Sequence, residues 1–186
     1  MSLKPMRLMV ACGALGALCG GAFAHEEVMV GRSSTNQLVM HTHDIMPFEL
    51  PESVFPGISG YAGATVALAS LEADDPGEDL FMLPGNVDIR CVLLATSANM
   101  RVYNGVNPMV AGEEMVLGAP VIHYLPLWNI TQGNPGEESF AVFQFRDASN
   151  QMTTSAPFFV TFTPAPTPGV LGAVGIGAVA AMRRRR

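Results

Sequence analysis

The chain has 186 residues, 49% of them hydrophobic and 14% charged, with a formal net charge of −6 at pH 7. That length suits one ordinary domain and is short for two with extensions at both ends. Charge is unevenly spread: all 16 carboxylates lie between residues 25 and 165, where the basic side chains are Arg32, Arg90, Arg101 and Arg146 and lysine is absent. The central region is therefore near −12, and sequence-unspecific nucleic-acid binding, which needs the opposite sign, is not expected.

Residues 1–24 read as a secretory signal peptide. Lys4 and Arg7 form a positive start, LMVACGALGALCGG is an apolar stretch without polar alternation, and Ala22-Phe23-Ala24 is a small-x-small cleavage site. Leu18 is larger than the small residue that usually precedes a lipid-modified cysteine, so Cys19 is not an expected anchor. Cleavage is expected after Ala24, which makes His25 the new N-terminus. Cys12 and Cys19 leave with the signal, so Cys91 remains alone and no intramolecular disulfide can form.

Beyond the signal, strand signals outnumber helix signals. EVMVG, NQLVMHTH, NVDIRCVLLAT, MRVYNG, EEMVLG, PVIHYLPLWNI, SFAVFQFRD and APFFVTFTP are short β-favouring runs. Turn chemistry separates them, as in Pro84-Gly85-Asn86, Asn104-Gly105, Gly133-Asn134-Pro135-Gly136 and Ser149-Asn150. The last pair is the clearest hairpin: Phe140, Val142, Gln144 and Arg146 face one way, and Ala141, Phe143, Phe145 and Asp147 the other. In NVDIRCVLLAT, Val87, Ile89, Cys91 and Leu93 share a face, which predicts a buried, inert thiol. Residues 47–84 are less regular and read as a long excursion with an acidic loop and room for a short strand or helical turn. The expectation is an all-β chain: a single antiparallel sandwich or barrel-like domain over residues 25–163, flanked by an N-terminal signal helix and a C-terminal apolar helix.

Chemistry concentrates in few residues. His41 and His43 lie at i and i+2, so on a strand both point to one face with Cα atoms about 6.6 Å apart. Leu38 and Met40 lie on the other face, which suits burial. The pair fits half of a zinc site, whose bonds to imidazole nitrogen are about 2.0–2.1 Å, and fits a solvated strand face equally well. His123, in VIHYLPLW, is the best third ligand by type and His25 the second. As a free N-terminus, His25 offers its α-amine and imidazole together, as in histidine-brace copper sites. The acidic cluster Glu72, Asp74, Asp75, Glu78 and Asp79 lacks the alternation of an EF-hand and is split by Pro76-Gly77, so it reads as a solvated turn. Nucleophile-elbow, zincin, phosphate-loop and dinucleotide motifs are not found, and the expectation is a non-enzymatic protein.

The C-terminal PAPTPGVLGAVGIGAVAAMRRRR, residues 164–186, has a Pro-rich spacer, an apolar segment and a basic stop. Its apolar part, residues 169–182, would make about 21 Å of helix against a hydrocarbon core of about 30 Å. By the positive-inside rule, Arg183 to Arg186 would hold the end in the cytoplasm. This tail resembles the PEP-CTERM sorting signal, which an exosortase processes in bacteria with an outer membrane. Pro166-Thr167-Pro168 stands where the usual pattern has Pro-Glu-Pro. The resemblance implies an exosortase-type partner, transient passage through the membrane by the C-terminal segment, and export to the periplasm, cell surface or extracellular matrix.

The mature region is similar to the PEP-CTERM proteins described as repressed by Zur, the zinc-uptake regulator. The likeness rests on VMVGRSSTNQLVMH, DIMPFELPESVFPG, SLEADDPGEDLFMLPG, GAPVIHYLPLWNI and FQFRDASNQMTTSAPFFVTFTP. It implies expression under zinc scarcity and carries over the histidine of VIHYLPLW as a site candidate. Two functions are expected in order: binding or buffering of a divalent metal, zinc, through His41, His43 and His123, or a structural or adhesive extracellular matrix role without metal. The export reading predicts that intact-mass analysis of protein recovered from an exporting cell gives a chain beginning at His25. Recovery of a chain that still begins at Met1 would contradict it.

Overall fold

A computed structural model of the chain describes residues 26–42, 46–118 and 120–166; the signal segment, His25, His43 and the sorting tail from Thr167 onward lie outside these. The described residues are all-β, with no helix among them, in thirteen strands that pair into three curled sheets, two of them mixed and one antiparallel. The expected signal helix and apolar C-terminal helix fall outside the described residues.

The first sheet has the order β10-β5-β1-β2, from β1 (Glu26–Arg32), β2 (Leu38–His41), β5 (Val66–Ser70) and β10 (His123–Tyr124). The second, β4-β11-β7-β8, is built from β4 (Tyr61–Gly63), β7 (Met100–Asn104), β8 (Asn107–Pro108) and β11 (Leu127–Ile130). The third, β3-β13-β12-β6-β9, contains β3 (Phe48–Leu50), β6 (Ile89–Thr96), β9 (Glu114–Gly118), β12 (Ser139–Asp147) and β13 (Phe158–Pro164).

Alternation explains the third sheet. In β12 the side chains of Ala141, Phe143 and Phe145 are fully buried while those between them turn outward, a period of two that suits a half-buried strand. β6 does the same with Ile89, Cys91 and Leu93, and antiparallel pairing with β12 places Cys91 beside Phe145. The Cys91 thiol is fully buried, and burial pushes its pKa well above the ordinary value, as its strand position predicts. At the hairpin between β7 and β8, Gly105 supplies a φ of 65° that a side chain would resist. Gly60 is under a harder constraint, since a Cβ there would meet the Ile130 carbonyl oxygen at 2.1 Å.

Two features depart from the expected antiparallel arrangement. β1 pairs parallel with β5, and β13 pairs parallel with β3. Both parallel partners come from residues 47–84, the stretch read as an excursion, which contains three strands. β5 is the central example: Val66, Ala67, Leu68, Ala69 and Ser70 are all buried, so no alternation marks the strand. PVIHYLPLWNI, read as one run, forms two strands in different sheets, with Leu125-Pro126 between them. Pro126 has no N–H to donate, which favours a break in pairing there.

All three sheets contribute to one apolar cluster, which includes Val28, Leu68, Trp128, Phe143 and Phe162. A polar knot holds the turn after β12. The buried Asp147 carboxylate accepts from the backbone N–H groups of Asp88 (3.1 Å), Ser149 (2.9 Å), Gln151 (2.8 Å) and Met152 (3.2 Å), and from the Ser149 hydroxyl. Burial alone would raise its pKa, but these hydrogen bonds outweigh burial and hold it below the ordinary 3.8. A depressed folded pKa stabilises the fold fully above the unfolded value. That contribution is lost as pH falls from about 3.8 through the lower folded pKa. Asp147→Ala, which orphans several donors, is expected to destabilise the fold by about 3 kcal/mol in denaturant titration at pH 7. It should also flatten the loss of stability below pH 3.8; an unchanged midpoint and acid profile would remove this role.

Candidate functional site

β2 positions the first histidine. Leu38 is in the core and Met40 packs against it, so His41 projects to the sheet's other face. Register then extends a row across the first sheet: His41 lies opposite Met29, Met29 beside Ala69, and Ala69 opposite His123. Two histidines 82 positions apart in sequence thus end one row on the same face, on its two edge strands. Three strand spacings separate them, about 14 Å between Cα atoms in a flat sheet. They share a face without standing side by side.

That face is covered, not open. Leu71 and Leu80, from the segment after β5, pack with Met29, Ala69 and Val39 in a second apolar cluster. Arg32 and Phe81 exchange backbone hydrogen bonds of 2.9 and 2.8 Å, and the Arg32 guanidinium stands 5.3 Å from the Phe81 ring centroid. The acidic residues between these anchors are largely engaged by backbone. Asp74 accepts from Met82 N–H at 2.7 Å, Asp75 from Gly77 N–H at 3.0 Å, and Asp79 from Ser34 N–H at 2.9 Å. The Ser34 side chain and backbone hold the Asp79 carboxyl below its ordinary pKa. The loop is exposed from Glu72 to Asp79, as expected of a solvated turn, and three of its carboxylates tie it as a strap to its own backbone and to the β1–β2 turn.

Glu78 is the exception. Its Oε2 lies 3.6 Å from His41 Nδ1, an ion-pair distance rather than a hydrogen bond, with the imidazole 19% exposed and the carboxylate 61%. At the other edge, His123 borders a cleft of about 400 Å³ that Glu27, Glu72 and Met82 also line. Sequence reasoning assigned neither Glu78 to His41 nor Glu27 to His123. Only the strap's return and the strand register create those proximities, and no local spacing encodes them.

His25 and His43 lie outside the described residues. Among the described residues, no group of three or more His, Cys, Asp and Glu side chains is arranged to hold a metal ion. The site therefore consists, as far as it is described, of two imidazoles at opposite ends of one row, each with carboxylates at hand.

These features define an all-β protein with a strapped histidine face. Comparison with protein-family models, curated proteins and solved structures finds no match to this chain.

Proposed function

We propose that this chain is an exported, surface-sorted, non-enzymatic β-domain that binds a divalent metal, zinc, under zinc limitation. In this reading residues 25–163 form one domain whose three sheets close as a sandwich. A signal peptide precedes it, and residues 164–186 are a sorting tail handed to an exosortase-type enzyme at the membrane.

The observation that carries the metal reading is the contact between His41 Nδ1 and Glu78. A carboxylate behind a ring nitrogen is the arrangement common at zinc-bound histidines, and in this reading Glu78 closes on Nδ1 from its 3.6 Å separation when the ion binds. His41 and His43 then form the nucleus of the site, with a carboxylate or water completing four-coordination. The acid-rich surface raises local cation concentration in support. In this reading His123, about 14 Å along the row, takes no part in binding the same ion.

A second reading, a structural or adhesive matrix protein without metal, also has an observation in its favour. Asp74, Asp75 and Asp79 each have an oxygen already engaged by a backbone N–H. Calorimetric zinc titration of the exported chain separates the two. The metal reading predicts that His41→Ala combined with His43→Ala weakens zinc binding at least tenfold. Glu78→Gln should weaken it about tenfold through the lost orientation of His41, and His123→Ala by less than threefold. Unchanged affinity in the double variant, or no zinc uptake by the wild type, would leave the matrix reading.

A further inference from the structure

The outer face of the five-stranded sheet groups exposed apolar side chains on neighbouring strands. Phe159 on β13 is 54% exposed, Val116 on β9 56%, and Phe140 on β12 36%. The Phe140 and Phe159 rings meet edge to face at 5.6 Å between centroids. Val142, opposite Phe159, and Val92, opposite Gln144, continue the apolar surface between them. Single exposed apolar residues need no explanation, but a contiguous set across several strands marks an interaction surface.

Charge is also distributed unusually here. The central region has four arginines, and two of them, Arg146 and Arg90, face each other across this sheet. Arg146 Nη2 bonds Glu114 Oε2 at 2.6 Å, and Arg90 pairs with Asp88. Among the described residues, Glu49 on the far edge strand β3 is the one further charge on a strand of that face. In a domain near −12, this is a nearly neutral patch.

We propose that this face is where a second copy of the chain packs. Two copies of so acidic a domain repel each other, and a face with its charges already paired is where that repulsion is least. Like surfaces meeting across a two-fold axis also require a self-complementary patch. An axis crossing β12 obliquely near Gln144 lays Phe159 of each copy over Val116 of the other, with the strands of the two copies crossing steeply and the sheets about 10 Å apart. Five strands about 4.8 Å apart and averaging about 21 Å in length give about 500 Å² per copy. The pair would then bury about 1,000 Å², at the threshold for a specific interface. A dimer in the micromolar range is expected rather than an obligate one.

Sedimentation velocity on protein recovered from an exporting cell, from 1 to 100 μM as an order-of-magnitude range around that affinity, tests this. Wild type should pass from monomer to dimer. Phe159→Asp and Val116→Asp, at opposite ends of the patch, should each weaken dimerisation at least 100-fold while leaving the thermal transition in place. Val121→Asp, at an exposed residue on a different sheet's connection, should leave the dimer intact. Should Phe159→Asp misfold, Val116→Asp alone gives the reading. A wild type that stays monomeric across the range overturns the proposal, including the case in which it instead floats with neutral lipid vesicles in a Phe159-dependent way. A dimer that survives both patch variants overturns it too.

Discussion

The indole of Trp128 ties the three sheets to one another. It sits on β11, fully buried, and donates its Nε1–H to the Val66 carbonyl of β5 at 3.0 Å. Its ring lies 4.8 Å from Phe162 on β13 and 5.8 Å, edge-on, from Phe143 on β12. One side chain thus satisfies its only polar atom in the first sheet, belongs to the second, and packs its ring against the third. A buried tryptophan combines a large apolar surface with a donor that must find a partner, so its position is over-determined. Trp128 in turn fixes the placement of β5, the fully buried strand whose other face carries Ala69 into the histidine row.

That row illustrates the limits of local pattern. The β12 alternation and the Val87-Ile89-Cys91-Leu93 face were legible because half-buried antiparallel strands write their two environments into alternating residues. VALAS was not, because a strand covered on both faces carries no alternation, and its alanines favour helix as readily as sheet. The parallel pairings were invisible for a related reason: they join strands dozens of residues apart, and nothing within either strand declares its partner. For the site, the outward direction of His41 was readable from Leu38 and Met40. Its relation to His123 was not, since two intervening strands set it. Glu78 lay within the acidic cluster as a residue type, but its approach to His41 depends on the strap formed by Leu71, Leu80 and Phe81.

Function then rests on a division of the surface. One sheet face is strapped, acidic and carries imidazoles; another is apolar and nearly neutral. Carboxylates elsewhere give the central region a strongly negative field. In the strap, Asp74, Asp75 and Asp79 each accept from a backbone N–H, and Glu78 is the carboxylate that approaches His41. The proposed metal reading calls for a site of moderate donor number that exchanges its ion, and two imidazoles with solvent or a carboxylate would provide that chemistry.

X-ray absorption at the zinc edge, on the exported chain loaded with one equivalent of zinc, tests the central claim most directly. The account predicts nitrogen and oxygen neighbours at about 2.0–2.1 Å, with the outer-shell scattering of two imidazoles and no sulfur at about 2.3 Å. The variant carrying His41→Ala and His43→Ala should lose the imidazole signal. A spectrum of hydrated zinc, or one with no imidazole scattering in the wild type, would contradict the account.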